Sequence, residues 1–244
     1  MLLDFFKLKK KGINTGFRLS FKRDIHAHLI PGVDDGPQTM EESLKLIQGF
    51  QKLGFSHLTA TSHIYYQYYP NEKSKLIDAF TELKKAMVVY GIDIEIDLAA
   101  EYFLDDHFKK LLLEKELLPI ANDYLLVEMP FVAPPPNVYE YFFDIQISGY
   151  KPILAHPERY MYLTTSDYEK LLDFGCQFQL NLLSLTGYYG KAVEKRAFTL
   201  LEKGWIHAFG SDIHNQHQME AFERMLTNPK LSTLKGRHWL NDFL

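Results

Sequence analysis

His26 and His28 lie two residues apart, directly after Phe21-Lys22-Arg23-Asp24-Ile25, a run that reads as a short strand. Side chains at i and i+2 of a strand share a face, so both imidazoles can aim at one point. A Pro31-Gly32 break follows, then Asp34, Asp35 and Gly36, before a helical run opens at Thr39. Paired imidazoles with carboxylates nearby, held at a strand end, are the donors a divalent transition metal takes. Alone, the pair could equally be a chance His-x-His on a surface strand. Downstream, however, His63, Glu101, Glu128, His156 and the pair Asp212 and His214 each follow a strand-like run, and Asp35 sits on the loop after the first.

Each of these residues has an ordinary alternative as a loop or surface side chain. Glu101 and Glu128 follow apolar runs, where an unpaired buried charge would be costly. His26, His28, Asp35, His63, Glu101, Glu128, His156, Asp212 and His214 together exceed what one or two ions require, which suggests two or three. Mixed nitrogen and oxygen donors suit Mn, Fe or Zn better than Mg or Ca. With no cysteine in the set, a structural zinc site is not expected. Clustered ions with such donors are suited to hydrolysis, because they lower the pKa of a bound water and clamp a phosphoryl oxygen. Arg159, in Ala155-His156-Pro157-Glu158-Arg159-Tyr160, can reach the same place and hold a phosphate in a bidentate fork, or else pair with a neighbouring carboxylate. Tyr65, Tyr66, Tyr68 and Tyr69 follow His63 and could either wall a pocket or pack under a loop. His57, His107, His207 and His238 do not share the strand-end position and read as structural or surface residues.

Strands and helices must alternate to position these donors, and the sequence alternates. Strand-like runs cover Phe21–Ile25, His57–Ser62, Ile92–Ala100, Tyr124–Val127, Pro152–Ala155, Cys176–Leu180 and Trp205–Phe209. Between them lie helical patterns from the Thr39 cap to Gly54, Glu72–Tyr90, Asp106–Glu116, Pro134–Ser148, Ser166–Phe174 and Lys191–Lys203, with a last helix from about Gln218. Such alternation predicts a parallel sheet with right-handed crossovers. An open sheet would string the donors over too long a span, whereas a barrel gathers every strand end at one mouth. The expectation is therefore an α/β fold, a distorted (β/α)7 TIM-like barrel in a single domain over 21–244, preceded by an N-terminal extension over 1–20.

The 244 residues suffice for a sizeable core, and 46% hydrophobic with 24% charged residues is an ordinary globular composition. A net charge of −4 disfavours non-specific nucleic-acid binding. The single cysteine, Cys176, excludes an internal disulfide and fits a reducing compartment. No apolar run reaches transmembrane length. At the N-terminus, Met1-Leu2-Leu3-Asp4-Phe5-Phe6-Lys7-Leu8-Lys9-Lys10-Lys11 places apolar residues before basic ones, the reverse of a signal peptide. It reads as a frayed basic terminus, and the expected location is cytoplasmic.

Asp24-Ile25-His26-Ala27-His28, Thr61-Ser62-His63, Ala100-Glu101, Val127-Glu128, the His156-Pro157-Glu158-Arg159-Tyr160 run and Ser211-Asp212-Ile213-His214-Asn215 resemble, in order, the motif series of the PHP (polymerase and histidinol phosphatase) superfamily. Pro31-Gly32-Val33-Asp34-Asp35-Gly36 narrows the resemblance to the CpsB/YwqE-type bacterial tyrosine-protein phosphatases. The resemblance implies a PHP barrel with three divalent ions, manganese first, with iron or zinc as alternatives. It assigns His26, His28, Glu101 and Asp212 to one ion, with Glu101 bridging to a second held by Glu128 and His156. Asp35, His63 and His214 hold the third. Arg159 matches a phosphate-binding arginine, and Asp212 or a histidine would protonate the leaving oxygen. The implied substrate is a phosphotyrosine protein, typically the tail of a bacterial tyrosine kinase controlling capsule or exopolysaccharide assembly. Cys176 has no role, and self-association is left open. A histidinol-phosphatase-like enzyme for a small phosphomonoester and a non-catalytic metal-binding regulator are the alternatives. One departure stands out: relatives often carry a second arginine after the Asp-x-His-Asn run, and Gln216-His217-Gln218-Met219 has none. His217 is the candidate replacement.

Overall fold

Apolar stretches of strand length, each followed by an amphipathic helix, wind up seven strand–helix units in a computed structural model that describes residues 19–226, 231 and 238–244. The units are β1 (Arg23–Ala27), α1 (Met40–Leu53), β2 (His57–Ile64), α2 (Lys73–Val89), β3 (Glu95–Phe103), α3 (Asp106–Glu114), β4 (Tyr124–Glu128), α4 (Val138–Ile147), β5 (Lys151–Ala155), α5 (Thr165–Asp173), β6 (Gln177–Asn181), α6 (Lys191–Glu202), β7 (Ala208–Gly210) and α7 (Gln216–Met225). The seven strands pair in parallel and in chain order. The expected extension over 1–20 lies, apart from its last two residues, outside the described residues. Among the described residues no helix is long and apolar enough to cross a membrane.

The barrel closes between β1 and β7, and side chains do much of the closing. At the top, Asp212 N donates to His26 O at 2.8 Å and His28 N to Ile213 O at 3.0 Å. Lower down, Asp24 Oδ1 accepts from Ser211 N at 3.1 Å and from His26 N at 3.0 Å. At the bottom, Asn241 from the C-terminal segment accepts from Phe209 N at 2.8 Å and donates to Phe209 O at 2.8 Å and Arg23 O at 3.0 Å. The carboxylate and the amide stand where a regular ladder would run, which distorts the barrel.

Several boundaries differ from the sequence expectation for local reasons. β3 starts at Glu95, not Ile92, because Ile92 N donates to Met87 O at 3.0 Å and finishes α2. β7 starts at Ala208, since Trp205 N closes α6 by donating to Leu200 O at 3.1 Å. α4 begins at Val138: the Pro134–Pro136 run disfavours helix before it, and Asn137 is left-handed at φ 55°.

The lower barrel is filled by Ile25, Ala99, Leu126, Ile153, Ala155 and Ala208, with Leu240 and Leu244 packed against them. Two residues above this plug, the same inward faces carry Glu101 after Ala99 and Glu128 after Leu126. In β1, Asp24 to Ala27 spans the register that Leu58 to Ala60 spans in β2, one residue more. This bulge lets Ile25 face the plug while the next residue, His26, also turns inward.

Candidate metal centre

His26 and His28 meet Glu101 and Asp212 at the mouth of the barrel, and all four are buried. Glu101 Oε2 lies 3.2 Å from His26 Nε2, 3.3 Å from His28 Nε2 and 3.1 Å from His63 Nδ1. Asp212 Oδ1 lies 3.3 Å from His26 Nε2 and 3.5 Å from His28 Nε2. His63 Nδ1 is 3.0 Å from Glu128 Oε1, and His156 Nε2 is 3.1 Å from Glu101 Oε1. On the outer side, half-exposed Asp35 places Oδ1 3.6 Å from His63 Nε2 and 3.4 Å from His214 Nε2. Among the described residues the donors fall into three overlapping groups: His26, His28, Glu101 and Asp212; His63, Glu101 and Glu128; and His28, Asp35, His63 and His214. His156 joins none of them but faces Glu101, so every ligand expected from the sequence reaches one mouth.

Hydrogen bonding shows which atoms are available. Gln179 Oε1 lies 2.8 Å from His26 Nδ1, and Asp34 Oδ2 lies 2.9 Å from His28 Nδ1. Both oxygens are acceptors, so each imidazole keeps a proton on Nδ1 and turns Nε2 toward the carboxylates, the atom at which a metal ion or a second proton can sit. Those two Nε2 atoms stand 3.3 Å apart and face two carboxylates. Four polar atoms converging in a buried pocket call for positive charge between them, which a metal ion can supply. Glu101 Oε2 and His63 Nδ1 are, moreover, buried and, despite these close approaches, make no hydrogen bond of regular geometry among the described residues. This donor set fits divalent transition ions.

Electrostatics agree. Burial works against charge on all of these groups, yet the Asp34, Asp212 and Glu101 carboxylates hold His28 well above the ordinary imidazole range. His63 is lifted to about 9 against burial by Glu101 and Glu128. Glu101 and Asp212 are held well below the carboxylate range despite burial, chiefly by His26. The cluster demands positive charge, and protons compete with metal ions to supply it.

Backbone conformation aims two of the ligands. His156 after β5 and Asp212 after β7 are left-handed, at φ 37° and 54°. For non-glycine residues this costs about 1–3 kcal/mol each and is tolerated where the surroundings enforce it. Two glycines make room. A β-carbon on Gly210 would lie 2.5 Å from His26 Cβ and 2.7 Å from Gln179 Nε2, and one on Gly36 would lie 2.9 Å from Asp34 Oδ1.

Over the ligands opens a cavity of about 260 Å³, lined by Asp35, His63, Glu128, His156, Asp212 and His214 together with Phe131, Arg159, Tyr189, Asn215 and Gln218. Arg159 donates from Nη1 to Asp212 Oδ2 at 3.1 Å. Its guanidinium is sandwiched between the rings of Phe131 at 4.5 Å and Tyr189 at 4.7 Å. Both alternatives read for Arg159 therefore hold: it pairs with a carboxylate and still lines the cavity.

Some roles were not legible in the sequence. None of Tyr65, Tyr66, Tyr68 and Tyr69 lines the cavity: Tyr69 stacks on His63, Tyr65 stacks on Phe103, and the other two are exposed. The aromatic walls are Phe131 and Tyr189. His217 is exposed beside Tyr188 and does not line the cavity, so it does not replace an arginine there. Asp34 rather than a backbone group orients His28. The sixth strand supplies Gln179 and Asn181, with Gln179 Nε2 donating to Asn181 Oδ1 at 3.0 Å and Asn181 Nδ2 to Asp212 Oδ2 at 2.6 Å. The alternation Gln177-Phe178-Gln179-Leu180-Asn181, polar on the face turned into the barrel, was the available signal. His57 pairs with Asp97 and Glu95, and His207 accepts from Phe178 N, both structural roles as expected.

Residues 22–226 match the family model described as capsular polysaccharide synthesis, CpsB/CapC. Tyrosine-protein phosphatase YwqE of Bacillus subtilis (strain 168) is 31% identical over 195 residues, spanning 79% of this chain and 77% of that one. Tyrosine-protein phosphatase CpsB of Streptococcus pneumoniae is 31% identical over 202 residues, spanning 79% and 82%. A crystal structure from work on those two proteins, described as metal-dependent tyrosine phosphatases, superposes with a TM-score of 0.76 at 26% identity over 89% of this chain and 96% of the other. The chain belongs to the CpsB/CapC family.

Proposed function

We propose that this protein is a metal-dependent phosphatase that hydrolyses phosphotyrosine in proteins, within the control of capsule or exopolysaccharide assembly. The observation that carries the reading is the convergence of two imidazole Nε2 atoms and two carboxylates beneath a cavity whose rim holds Arg159. Bound divalent ions supply positive charge and a water of lowered pKa at the phosphoryl group. The chain's own residues do the rest. Arg159, fixed by two rings and Asp212, offers its remaining N–H groups to phosphoryl oxygens. Gln179 and Asp34 fix the imidazole tautomers. Asp212 Oδ2 accepts from both Arg159 and Asn181, so Asp212 serves as acceptor and ligand rather than as a proton donor. The cavity of about 260 Å³ admits a phosphoryl group and part of a ring while the rest of a protein substrate stays outside.

His26, His28, Asp35, His63, Glu101, Glu128, His156, Asp212 and His214 are the proposed ligands of three ions, manganese first. The tail of a bacterial tyrosine kinase is the proposed substrate, acted on in the cytoplasm by a barrel domain over 21–244. The test is turnover of p-nitrophenyl phosphate and a phosphotyrosine peptide by the metal-loaded protein. Chelation should abolish both activities and added Mn²⁺ should restore them. Activity that survives complete metal removal refutes the reading, and strong preference for a small phosphomonoester over the peptide moves it to small-molecule substrates.

A further inference from the structure

Tyr189 belongs to Gly187-Tyr188-Tyr189-Gly190, the turn between β6 and α6, and its ring packs on the Arg159 guanidinium at 4.7 Å. Packing alone would be served by phenylalanine, as it is by Phe131 on the opposite side at 4.5 Å. The Tyr189 hydroxyl, however, is buried and has no hydrogen-bond partner among the described residues. A buried phenol O–H left unpaired costs roughly 1–3 kcal/mol, so such a group in a native protein calls for an explanation. Tyr189 also lines the cavity over the metal-ligand cluster. Burial, reinforced by the Asp212 carboxylate, pushes its pKa up, so the hydroxyl stays protonated and remains a donor.

The acceptor it lacks is one a substrate would bring. Among the described residues that line the cavity Arg159 is the only lysine or arginine, and one of its N–H groups is already given to Asp212. A phosphomonoester dianion presents three terminal oxygens, each able to accept more than one hydrogen bond. We infer that the Tyr189 hydroxyl donates a hydrogen bond to a phosphoryl oxygen of the bound substrate, beside Arg159. The inference rests on the proposed phosphatase reading for the identity of the anion, but not for the geometry. Tyr189 is a binding residue here, and no proton leaves it.

The test compares the full-length, metal-loaded protein with Tyr189→Phe, which keeps the ring on Arg159 and removes only the oxygen. Metal content should be unchanged. Affinity for inorganic phosphate, measured by calorimetry, should fall about tenfold or more, the worth of one hydrogen bond to a charged oxygen. The kcat/KM for p-nitrophenyl phosphate should fall by a similar factor. Equal phosphate affinity in the two proteins overturns the inference. If the variant misfolds, 3-fluorotyrosine placed at 189 gives a second measurement: its 19F resonance must move on adding phosphate, and no movement overturns the inference. Phosphate binding that depends on Tyr189, in a protein that turns over no phosphotyrosine, would reject the proposed substrate and keep this contact.

Discussion

Asp34 is the residue whose replacement tests the site most sharply, because it touches no predicted substrate and yet decides the state of a ligand. Its Oδ2 accepts from His28 Nδ1 at 2.9 Å and from His63 N at 3.0 Å, while Oδ1 accepts from Gly36 N at 3.0 Å. Asp34→Asn keeps size and shape but leaves one acceptor oxygen for three donors. If the amide oxygen takes the Oδ2 position, its NH2 group faces Gly36 N–H. If it takes the Oδ1 position, NH2 faces His28 Nδ1, and His28 can then accept only by moving its proton to Nε2, the atom offered to metal. Either arrangement strands at least one buried donor, a loss of about 1–3 kcal/mol. The second also blocks a ligand, and losing such an orienting partner typically costs about 10–100-fold in metal affinity. Competition titration against a calibrated chelator should show a loss of that size, and thermal melting of the metal-free protein should show a smaller destabilisation. Wild-type metal affinity in a folded Asp34→Asn protein would refute the tautomer assignment for His28.

Arg159→Ala should lower kcat about 100-fold or more with unchanged metal content, by analogy with removing one preorganised donor to developing charge. Arg159→Lys should fall in between, and a wild-type rate for it would show that the planar fork between Phe131 and Tyr189 is not used. Gly210→Ala forces a carbon to within 2.5 Å of His26 Cβ, and overpacking of about 1–3 kcal/mol should lower Tm by roughly 2–12 °C in a melting experiment. Asn241→Ala removes three hydrogen bonds from the β1–β7 seam, so amide exchange at Phe209 should accelerate while that of central strands such as β4 does not. Loading with Mn²⁺ at about 100 times Kd should add roughly 2.7 kcal/mol of stability and slow exchange of the Asp212 and His28 amides more than that of amides between β3 and β4.

The candidate ligands were legible because their chemistry is selective. Histidine and a buried-looking glutamate are uncommon at strand ends, and the recurrence of such residues in successive units pointed to a barrel and a metal site at once. The residues that hold those ligands were not legible for the opposite reason. Asp34, Gln179 and Asn181 are common polar types whose purpose appears only when the barrel interior brings residues 26 and 179, or 181 and 212, together. Tyr65 and its neighbours drew attention by density, but an eight-residue β2 carries the chain to Ile64, after which Tyr66 and Tyr68 turn outward while Tyr65 and Tyr69 pack on Phe103 and His63. Phe131 and Tyr189 gave no local signal, because a ring in a loop reads the same whether it covers a cation or a core.

The seam explains why the strained residues sit where they do. A seven-stranded parallel barrel must join its first and last strands, and here β7 is only three residues long. Its ladder to β1 is completed beyond the strand by Asp212 and Ile213, whose backbone groups pair with His26 and His28. Asp212 must therefore satisfy two demands, one on its backbone at the seam and one on its carboxylate at the site. The left-handed φ of 54° is the conformation in which it meets both. Candidate ligands from either side of the seam, His26 on β1 with His28 just after it and Asp212 and His214 after β7, then converge on shared charge. The seam of the barrel and the candidate metal cluster are thus the same place. Whatever cation binds there also ties the first strand to the last.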